Sequence, residues 1–461
     1  MRKFLKIAAG AGLVMILCLL AVLRPVDDTP YFLADSFQET IARLDSLSQN
    51  LNVHSGRIEV GMAKASLLPQ TSSLTRKGAA TQQAGVPLAG YGDRQSAPAT
   101  NVHDSLFAKA IAVRVGGRTN VLVSLEALIV PVEIADAVAA RANDLLGLER
   151  GDILFSATHT HSGIGAWGEG WLAEQFAGGY NPAIRAWLVE QTVLSISSAV
   201  ADLQPGKFGH ASFHAPAYVK NRLVGELGRV NDIFDLAIFR QSDGDLAVLG
   251  SYAAHATVLS AQNMAFSGDY PGYWYRAIER QVPGMAVFFA GSVGSHGPVT
   301  ANRDFEEARQ LGEALADSVL AHLPYVEMHD SIFTATLTLP VTLPELQVRA
   351  TSSIRVHPVL AGQMMRPGRI FLQAFRFGDL LWLSTPCDFS GELALDLKNA
   401  ANVQGRQLLI SSFNGGYIGY LVPGKYYHYR SYESRIMSWF GPAMGDYFMH
   451  LSRRMLAVVT R

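Results

Sequence analysis

Asp-Ile-Leu-Phe-Ser-Ala-Thr-His-Thr-His-Ser-Gly, residues 152–163, joins an apolar run to a polar turn that carries two histidines. The apolar half is typical of a buried β-strand, and in extended backbone residues i and i+2 face the same side. His159 and His161 can therefore point at one place, and Gly163 allows close approach of the backbone. Paired imidazoles at a strand end predict ligands for a divalent metal, although a lone His-x-His also occurs in proteins that bind none.

Strand-like and helix-like patterns alternate along the rest of the chain. Apolar strand-like runs cover 120–130, 152–157, 246–253, 285–290, 379–384 and 407–413, and helical patterns cover 132–146, 182–203, 270–281, 305–323 and 389–400. This alternation predicts an α/β fold in which helices flank a central, partly parallel sheet. Hairpin-like runs at 331–342 and 369–384 indicate antiparallel strands as well, so we expect a mixed sheet.

Polar side chains follow five of these predicted strands. In chain order they are His159 and His161, then His255, then Ser292 and His296, then Cys387 and Asp388, and finally Asn414, Tyr417 and Tyr420. Ligands of open α/β sheets bind outside the carboxyl ends of the strands. The five groups are therefore predicted to converge on one crevice.

Composition excludes several classes of protein. The chain has 461 residues, 49% of them hydrophobic, with 17% charged residues and a net charge of -1. It is long enough for a large core, and it has no basic field that would suggest nucleic acid as a partner. Its only cysteines are Cys18 and Cys387, so a zinc site of the Cys-x-x-Cys type is impossible.

The N-terminal residues 1–24 are predicted to be a signal anchor. Basic residues precede an apolar run from Ile7 to Leu23, and no small-x-small cleavage site follows it. We expect the anchor to stay uncleaved and to hold the body on the exocytoplasmic side of a membrane, whereas cleavage would give a secreted protein. Residues 25–57 are predicted to be a linker with one short amphipathic helix, 69–83 a surface loop, and 58–461 the catalytic domain.

Several stretches resemble the catalytic domain of the neutral/alkaline non-lysosomal ceramidases, over roughly residues 58–450. The resemblance is carried, in order, by Leu88–Gly92, Val102–Ala110, Thr158–Gly163, Tyr252–His255, Ser267–Asp269, Thr385–Phe389, Asn414–Tyr420, Tyr432-Glu433 and Phe440–Pro442. The Thr-His-Thr-His-Ser-Gly match is specific, and the other matches gain weight from their order. With 461 residues, we expect no room for the family's C-terminal immunoglobulin-like domain.

The resemblance implies a set of site residues. Its zinc ligands would fall on His103, His161, Asp388 and Tyr420, with catalytic contacts at His159 and His255. Each has a plainer reading: His103 as a loop residue, Asp388 as a helix N-cap, Tyr420 as a core aromatic and His255 as a buried structural histidine.

Two departures from the family pattern stand out. Asp388 occupies the position of a family Glu, and Leu223 lies where the family motif Asn-Arg-Ser-Pro carries its serine. The loop Gly291–His296 is also altered. These changes leave the predicted zinc site intact and make the substrate less certain than the fold.

The resemblance implies a zinc-dependent amidohydrolase that cleaves ceramide or a related N-acyl lipid with a metal-activated water. Two alternatives stay open. One is a zinc hydrolase that acts on another amide or an ester, and the other is an inactive protein that binds lipid or a partner through the same fold.

Overall fold

A computed structural model describes Phe4 and residues 22–69, 85–365 and 368–461. Most of the predicted signal anchor and nearly all of the predicted loop 69–83 lie outside the described residues. Within the described ranges, no helix combines the length and the apolar composition that crossing a bilayer requires.

The strands alternate with helices as the sequence predicts. The strands are β1 Leu23–Pro25, β2 Asn52–Ser66, β3 Asn101–Val102, β4 Phe107–Val115, β5 Arg118–Leu125, β6 Ile153–Ala157, β7 Gln204–His214, β8 Val219–Asn221, β9 Ile233–Gln241, β10 Leu246–Tyr252, β11 Ala265–Phe266, β12 Gly284–Ala290, β13 His296–Pro298, β14 Ser331–Pro340, β15 Ile354–Val356, β16 Phe371–Phe377, β17 Leu380–Thr385, β18 Asp388–Phe389, β19 Gln407–Ser412 and β20 Tyr420–Leu421. The α-helices are α1 Asp35–Leu47, α2 Val132–Leu146, α3 Trp171–Ala177, α4 Pro182–Ala201, α5 Asp269–Glu279, α6 Phe305–His322, α7 Pro358–Met364, α8 Gly391–Asn402 and α9 Met444–Thr460.

Twelve strands form one mixed sheet, which confirms the predicted fold class. The path β12-β10-β9-β7-β2-β14-β16-β17-β19 carries a branch at β2, where β4, β5 and β6 follow. The pairs β10–β12, β5–β6 and β17–β19 are parallel, and the remaining pairs of this sheet are antiparallel. The parallel pairs contain the very strands after which the polar residues come.

The sheet folds so that its strands enclose a core of their own. Buried side chains from strands on both sides of β2 pack against one another, among them Phe289, Trp382 and Leu409, and all residues of this cluster lie on strands. Separate apolar clusters pack α2 and α4, α8 and α9, and α5 and α6 against the outer faces. Strands that are apolar on both faces must be covered on both sides. The two halves of the folded sheet therefore pack on each other, and helices cover the outer face of each half.

Local signals fix the helix ends that matter for this packing. Asn181 caps α4 by accepting the Ala183 amide at 3.0 Å, and Pro182 occupies the first helical position. Gly147 ends α2 with a left-handed φ of 70°. Both ends coincide with the boundaries predicted from the helical patterns.

Residues 25–57 belong to the folded body in the structure. β1 pairs with β15, α1 buries Phe37 and Leu44 against the cluster under α9, and β2 starts at Asn52. The amphipathic helix is present where its pattern predicts it. Its apolar face explains why the segment packs against the body instead of spanning a gap.

Candidate metal centre

Serine hydroxyls hold the ends of the parallel strands together. Ser156 of β6 donates to the carbonyl of Ser412 at 2.8 Å, and Ser412 of β19 donates to the carbonyl of Gly291, after β12, at 2.8 Å. Ser251 of β10 donates to the carbonyl of Ile410 at 3.1 Å. Because these contacts join β6, β10, β12 and β19 close to their carboxyl ends, the segments that follow them meet at one place.

Three imidazoles meet there. His159, His161 and His255 each place a ring nitrogen within 4.8 Å of the other two. His159 and His255 are buried and His161 is partly buried. Three such donors at this spacing could hold a metal ion.

Asp388, from β18, completes the cluster. Its Oδ1 lies 3.3 Å from Nε2 of His159 and 3.9 Å from Nδ1 of His255. Yet Oδ1 of Asp388, Nε2 of His159 and Nδ1 of His161 all lack a hydrogen bond although they are buried. Unpartnered buried polar atoms are costly, so the facing pair of Nε2 of His159 and Oδ1 of Asp388 marks a place that an ion would satisfy.

Backbone carbonyls set the tautomers of two of the histidines. Nδ1 of His159 lies 2.6 Å from the carbonyl of Leu128, and Nδ1 of His255 lies 3.4 Å from the carbonyl of Val293. Each Nδ1 therefore carries the proton, which leaves the Nε2 lone pair free for a ligand. Nε2 of His255 lies 3.0 Å from Nε2 of His161.

Burial and neighbouring charge favour the neutral form of two histidines of the cluster. Desolvation lowers the pKa of His161 and of His255 well below its ordinary value, and the Arg222 guanidinium lowers the pKa of both further. Neutral imidazole is the form that binds a metal.

The backbone at the cluster is strained. His159 and Phe413 both adopt left-handed φ angles, of 62° and 66°, which are uncommon for residues with a side chain. Their rings stack with centroids 4.2 Å apart. Strain that the fold maintains in this way is typical of functional sites.

Two tyrosines and an arginine extend the site. Tyr417 donates its hydroxyl to Oδ2 of Asp388 at 2.8 Å. Arg222 donates from Nη2 to the hydroxyl of Tyr420 at 3.0 Å and pairs through Nε with Glu433 at 2.9 Å. Burial raises the pKa of Tyr420 well above its ordinary value, so the phenol keeps its proton. The sequence motifs contain Arg222 and Glu433 but predict no role for either residue.

Arg94 was missed altogether. It is buried, and it donates to the carbonyls of His161 at 2.5 Å, Ala89 at 3.2 Å and Ser260 at 3.4 Å. It thereby joins the turn that carries His161 to the loop that follows His255.

Two adjoining cavities open onto the cluster. The first, with a volume of about 550 Å³, is lined by His159 and His161 and by apolar residues that include Trp167, Leu172 and Trp439. We call it the apolar cavity. The second, of about 740 Å³, reaches His255, Arg222 and Arg303, and we call it the arginine cavity. Both share His161 and Tyr420 as walls.

The structure does not bring His103 to this cluster. The amide of His103 donates to the carbonyl of Phe266, and the imidazole contacts the hydroxyl of Tyr273 at 2.7 Å and stacks on Phe305 at 3.7 Å. The side chain is exposed. His161, Asp388 and Tyr420 of the predicted ligand set, and His159 and His255 of the predicted catalytic pair, do lie together.

Several other polar residues at the strand ends have structural partners. Nε2 of His296 accepts the amide of Asn231 at 2.8 Å, and burial lowers the pKa of His296 to about 3. Asn414 donates to the carbonyls of Phe371 and Ser384. Cys387 is fully buried and burial raises the pKa of its thiol, which is typical of a structural cysteine.

Residues 77–224 match the family model for the N-terminal part of neutral/alkaline non-lysosomal ceramidases. The neutral ceramidase of Mycobacterium tuberculosis is 27% identical over 222 residues, which are 44% of this chain and 34% of that protein. The neutral ceramidase of Pseudomonas aeruginosa is 23% identical over 277 residues, 54% of this chain and 41% of that protein. The predicted resemblance to the neutral ceramidases is confirmed.

The fold is shared with solved ceramidases over most of the chain. The crystal structure of the Pseudomonas aeruginosa neutral ceramidase superimposes with a TM-score of 0.72 at 19% identity and covers 88% of this chain and 75% of that one. A structure described as ceramidase complexed with C2 gives a TM-score of 0.73 at 18% identity over the same shares. The sequence matches span less than half the length of the curated relatives.

Proposed function

We propose that this protein is a metal-dependent hydrolase that cleaves the amide bond of ceramide or a related N-acyl lipid. One observation carries the proposal: the buried cluster of His159, His161 and His255 beside the unpartnered carboxylate oxygen of Asp388. The relatives named neutral ceramidases supply the type of bond.

The donor set fits zinc. Three imidazoles and one carboxylate are nitrogen and oxygen donors of the kind that Zn²⁺ prefers. We therefore assign the metal to His159, His161, His255 and Asp388. Tyr420 stands beside this set with its hydroxyl bonded to Arg222, and His103 falls outside it because Tyr273 and Phe305 hold its ring.

A bound Zn²⁺ supplies Lewis acidity and lowers the pKa of water to about 7. The chain's own residues supply the rest. The hydroxyl oxygen of Tyr420 accepts a hydrogen bond from Arg222. Its O–H group is therefore free to donate a hydrogen bond to the carbonyl oxygen of the amide as negative charge develops there. Glu433 keeps Arg222 in place for this role.

The cavities suit a lipid amide. Both have mostly apolar walls with room for an acyl chain, and Arg222 and Arg303 in the arginine cavity are charged groups for the amine half of the substrate. Leu223 is buried against Val422 and Tyr426 and offers no hydroxyl, so water is the attacking group. The same replacement favours a second candidate, hydrolysis of a different acyl amide or ester.

We also propose that the body lies on the exocytoplasmic side of a membrane, held by residues 1–24. The basic residues before the apolar run Ile7–Leu23 support this orientation. Secretion after cleavage is the alternative.

The test combines metal content with fatty acid release from a labelled ceramide by the full chain. The His161→Ala variant is compared with a matched His103→Ala variant, which removes the exposed imidazole outside the cluster. We expect about one zinc per chain and turnover in the wild type. We expect both to be lost in His161→Ala and retained in His103→Ala.

Other outcomes discriminate among the readings. Loss of zinc in His103→Ala would restore the ligand set implied by the resemblance and overturn ours. Zinc without fatty acid release would redirect the search to other amides and esters. Absence of zinc from the wild type would leave a lipid-binding protein with the fold of an enzyme.

A further inference from the structure

Large apolar side chains surround the common mouth of the two cavities. Trp171, Met364, Tyr432 and Ile436 line the cavities and yet are 57%, 51%, 46% and 60% exposed. We call these four residues the apolar rim. Soluble proteins seldom gather exposed apolar side chains around one opening unless something binds there.

Three separate segments build the apolar rim. Trp171 starts α3, Met364 ends α7, and Tyr432 and Ile436 come from the π-helical turn Tyr432–Ile436. Val359, on the same short helix as Met364, is also exposed, at 64%. Tryptophan and tyrosine among aliphatic residues are the side chains that settle at the interface between water and lipid.

The chain enters the folded body beside this rim. Leu23 of β1 lies opposite Val356 of β15, and the His357 amide donates to the carbonyl of Val22 at 2.6 Å. Val356 lines the arginine cavity, and α7 begins directly after His357. Val22, the first residue of this described range, therefore lies next to the helix that carries Met364.

The sequence that precedes this point is apolar. An apolar run extends from Ile7 to Leu23, behind the basic residues Arg2, Lys3 and Lys6, and its last two residues pair with β15 and His357 in the folded body. The residues that precede Val22, 7–21, are slightly fewer than the roughly 17 that span a bilayer and more than an interfacial segment requires. A segment of this composition partitions into lipid. Because this segment joins the body at Val22, beside the apolar rim, the lipid that takes up the segment is also what covers the rim.

We propose that the apolar rim rests on the surface of the lipid bilayer that holds residues 7–21. A lipid substrate then passes from the bilayer into the cavities without crossing water. The identity of that substrate rests on the proposed function, but the seating of the rim does not. A second copy of the chain is the competing occupant.

The test places a fluorescent probe on single cysteines of the full chain in phosphatidylcholine vesicles. A Cys18→Ala background leaves only Cys387, which is fully buried and out of reach of the label. Met364→Cys and Ile436→Cys report on the rim.

Leu145→Cys and Val403→Cys are the matched controls. They are 61% and 89% exposed. They precede β6 and β19 and so lie at the amino ends of strands whose carboxyl ends lead into the site. All four chains must first float with the vesicles, because a chain that does not bind vesicles overturns the proposal. Lipids that carry a quencher near the headgroup are then added.

We expect quenching at positions 364 and 436 and none at 145 and 403. Equal quenching at all four positions, or quenching at neither rim position, would overturn the proposal. A rim probe that responds to protein concentration without lipid would assign the rim to a second copy.

The readout needs neither metal nor turnover, so it separates this proposal from the proposed function. Quenching at the rim in a chain without hydrolytic activity would leave this proposal standing and overturn the other. Hydrolysis without quenching at the rim would do the reverse.

Discussion

Two buried aspartates of this protein have opposite surroundings. Asp235 of β9 pairs with the buried ammonium of Lys398 and accepts a further hydrogen bond from Gln407 at 3.4 Å. Asp388 accepts one hydrogen bond, from Tyr417, and its other oxygen faces two imidazoles with no hydrogen bond at all. The first carboxylate is satisfied by the chain itself, whereas one oxygen of the second has no partner within the chain. This difference is why we propose Asp388, and not Asp235, as a metal ligand.

The largest effect is expected from Asp235→Asn. This change leaves the Lys398 ammonium buried without its counter-charge, and breaking a buried pair on one side costs about 3–5 kcal/mol of unfolding free energy. Urea unfolding of the metal-free chain measures it. Zinc content per folded chain should not change.

The matched control replaces both partners. Asp235→Leu with Lys398→Met should recover most of the lost stability, because no unpaired charge stays in the core. If the double variant were as unstable as Asp235→Asn, the pair would not act as a closed unit.

Asp388→Asn is the same substitution at the other aspartate. We expect zinc to be lost and turnover to fall at least about 100-fold, since even residues that only support a ligand contribute about 10–100-fold. The metal-free chain should unfold no more easily than the wild type, because the variant removes a charge that has little compensation. A drop in metal-free stability as large as that of Asp235→Asn would contradict the contrast between the two sites.

Tyr420→Phe tests the polar group beside the cluster. Loss of one hydrogen bond to developing charge should lower kcat about 10-fold with little change in KM or zinc content. Tyr432→Phe is the control, because its ring packs against Tyr420 at 5.8 Å. Loss of zinc in Tyr420→Phe would instead make the phenol a ligand, as the family resemblance implies.

The smallest effect concerns a third buried carboxylate, Glu126. Its nearest cation, Lys109, lies 3.8 Å away, and burial raises the pKa of Glu126 to about 7. The folded chain then holds this proton more tightly than the unfolded chain, so stability should fall as pH rises from about 4.5 to 7. Glu126→Gln should flatten this slope in urea unfolding at a series of pH values. An unchanged slope would mean that another group titrates there.

The sequence predicted much of the fold because its signals are local. The helical pattern alone predicts α2 from Val132 to Leu146, which are its observed bounds. The long strand β2 and the final helix α9 were missed. β2 owes its length to pairing with three distant strands, which no local pattern reveals.

The candidate site was likewise predicted only in part, because local patterns are visible in the sequence and long-range pairing is not. The sequence predicts that His159 and His161 lie together, but by extended backbone, and that reason is wrong: β6 ends at Ala157 and His159 has a left-handed φ of 62°, so the turn brings the two rings together. Asp388 and Tyr420 are implied by the family resemblance. Arg222 reaches the site only because β8 pairs with the distant strand β13. His103 is turned away by the pairing of β3 with β11, a contact across more than 160 residues that sequence spacing cannot show.

The most direct test of the central claim is an anomalous diffraction map collected at the zinc absorption edge from crystals of the full chain. The account predicts one peak within bonding distance of ring nitrogens of His159, His161 and His255 and of Oδ1 of Asp388. A peak bound to His103 would contradict it. So would a map in which these four side chains are well ordered and no zinc peak lies beside them.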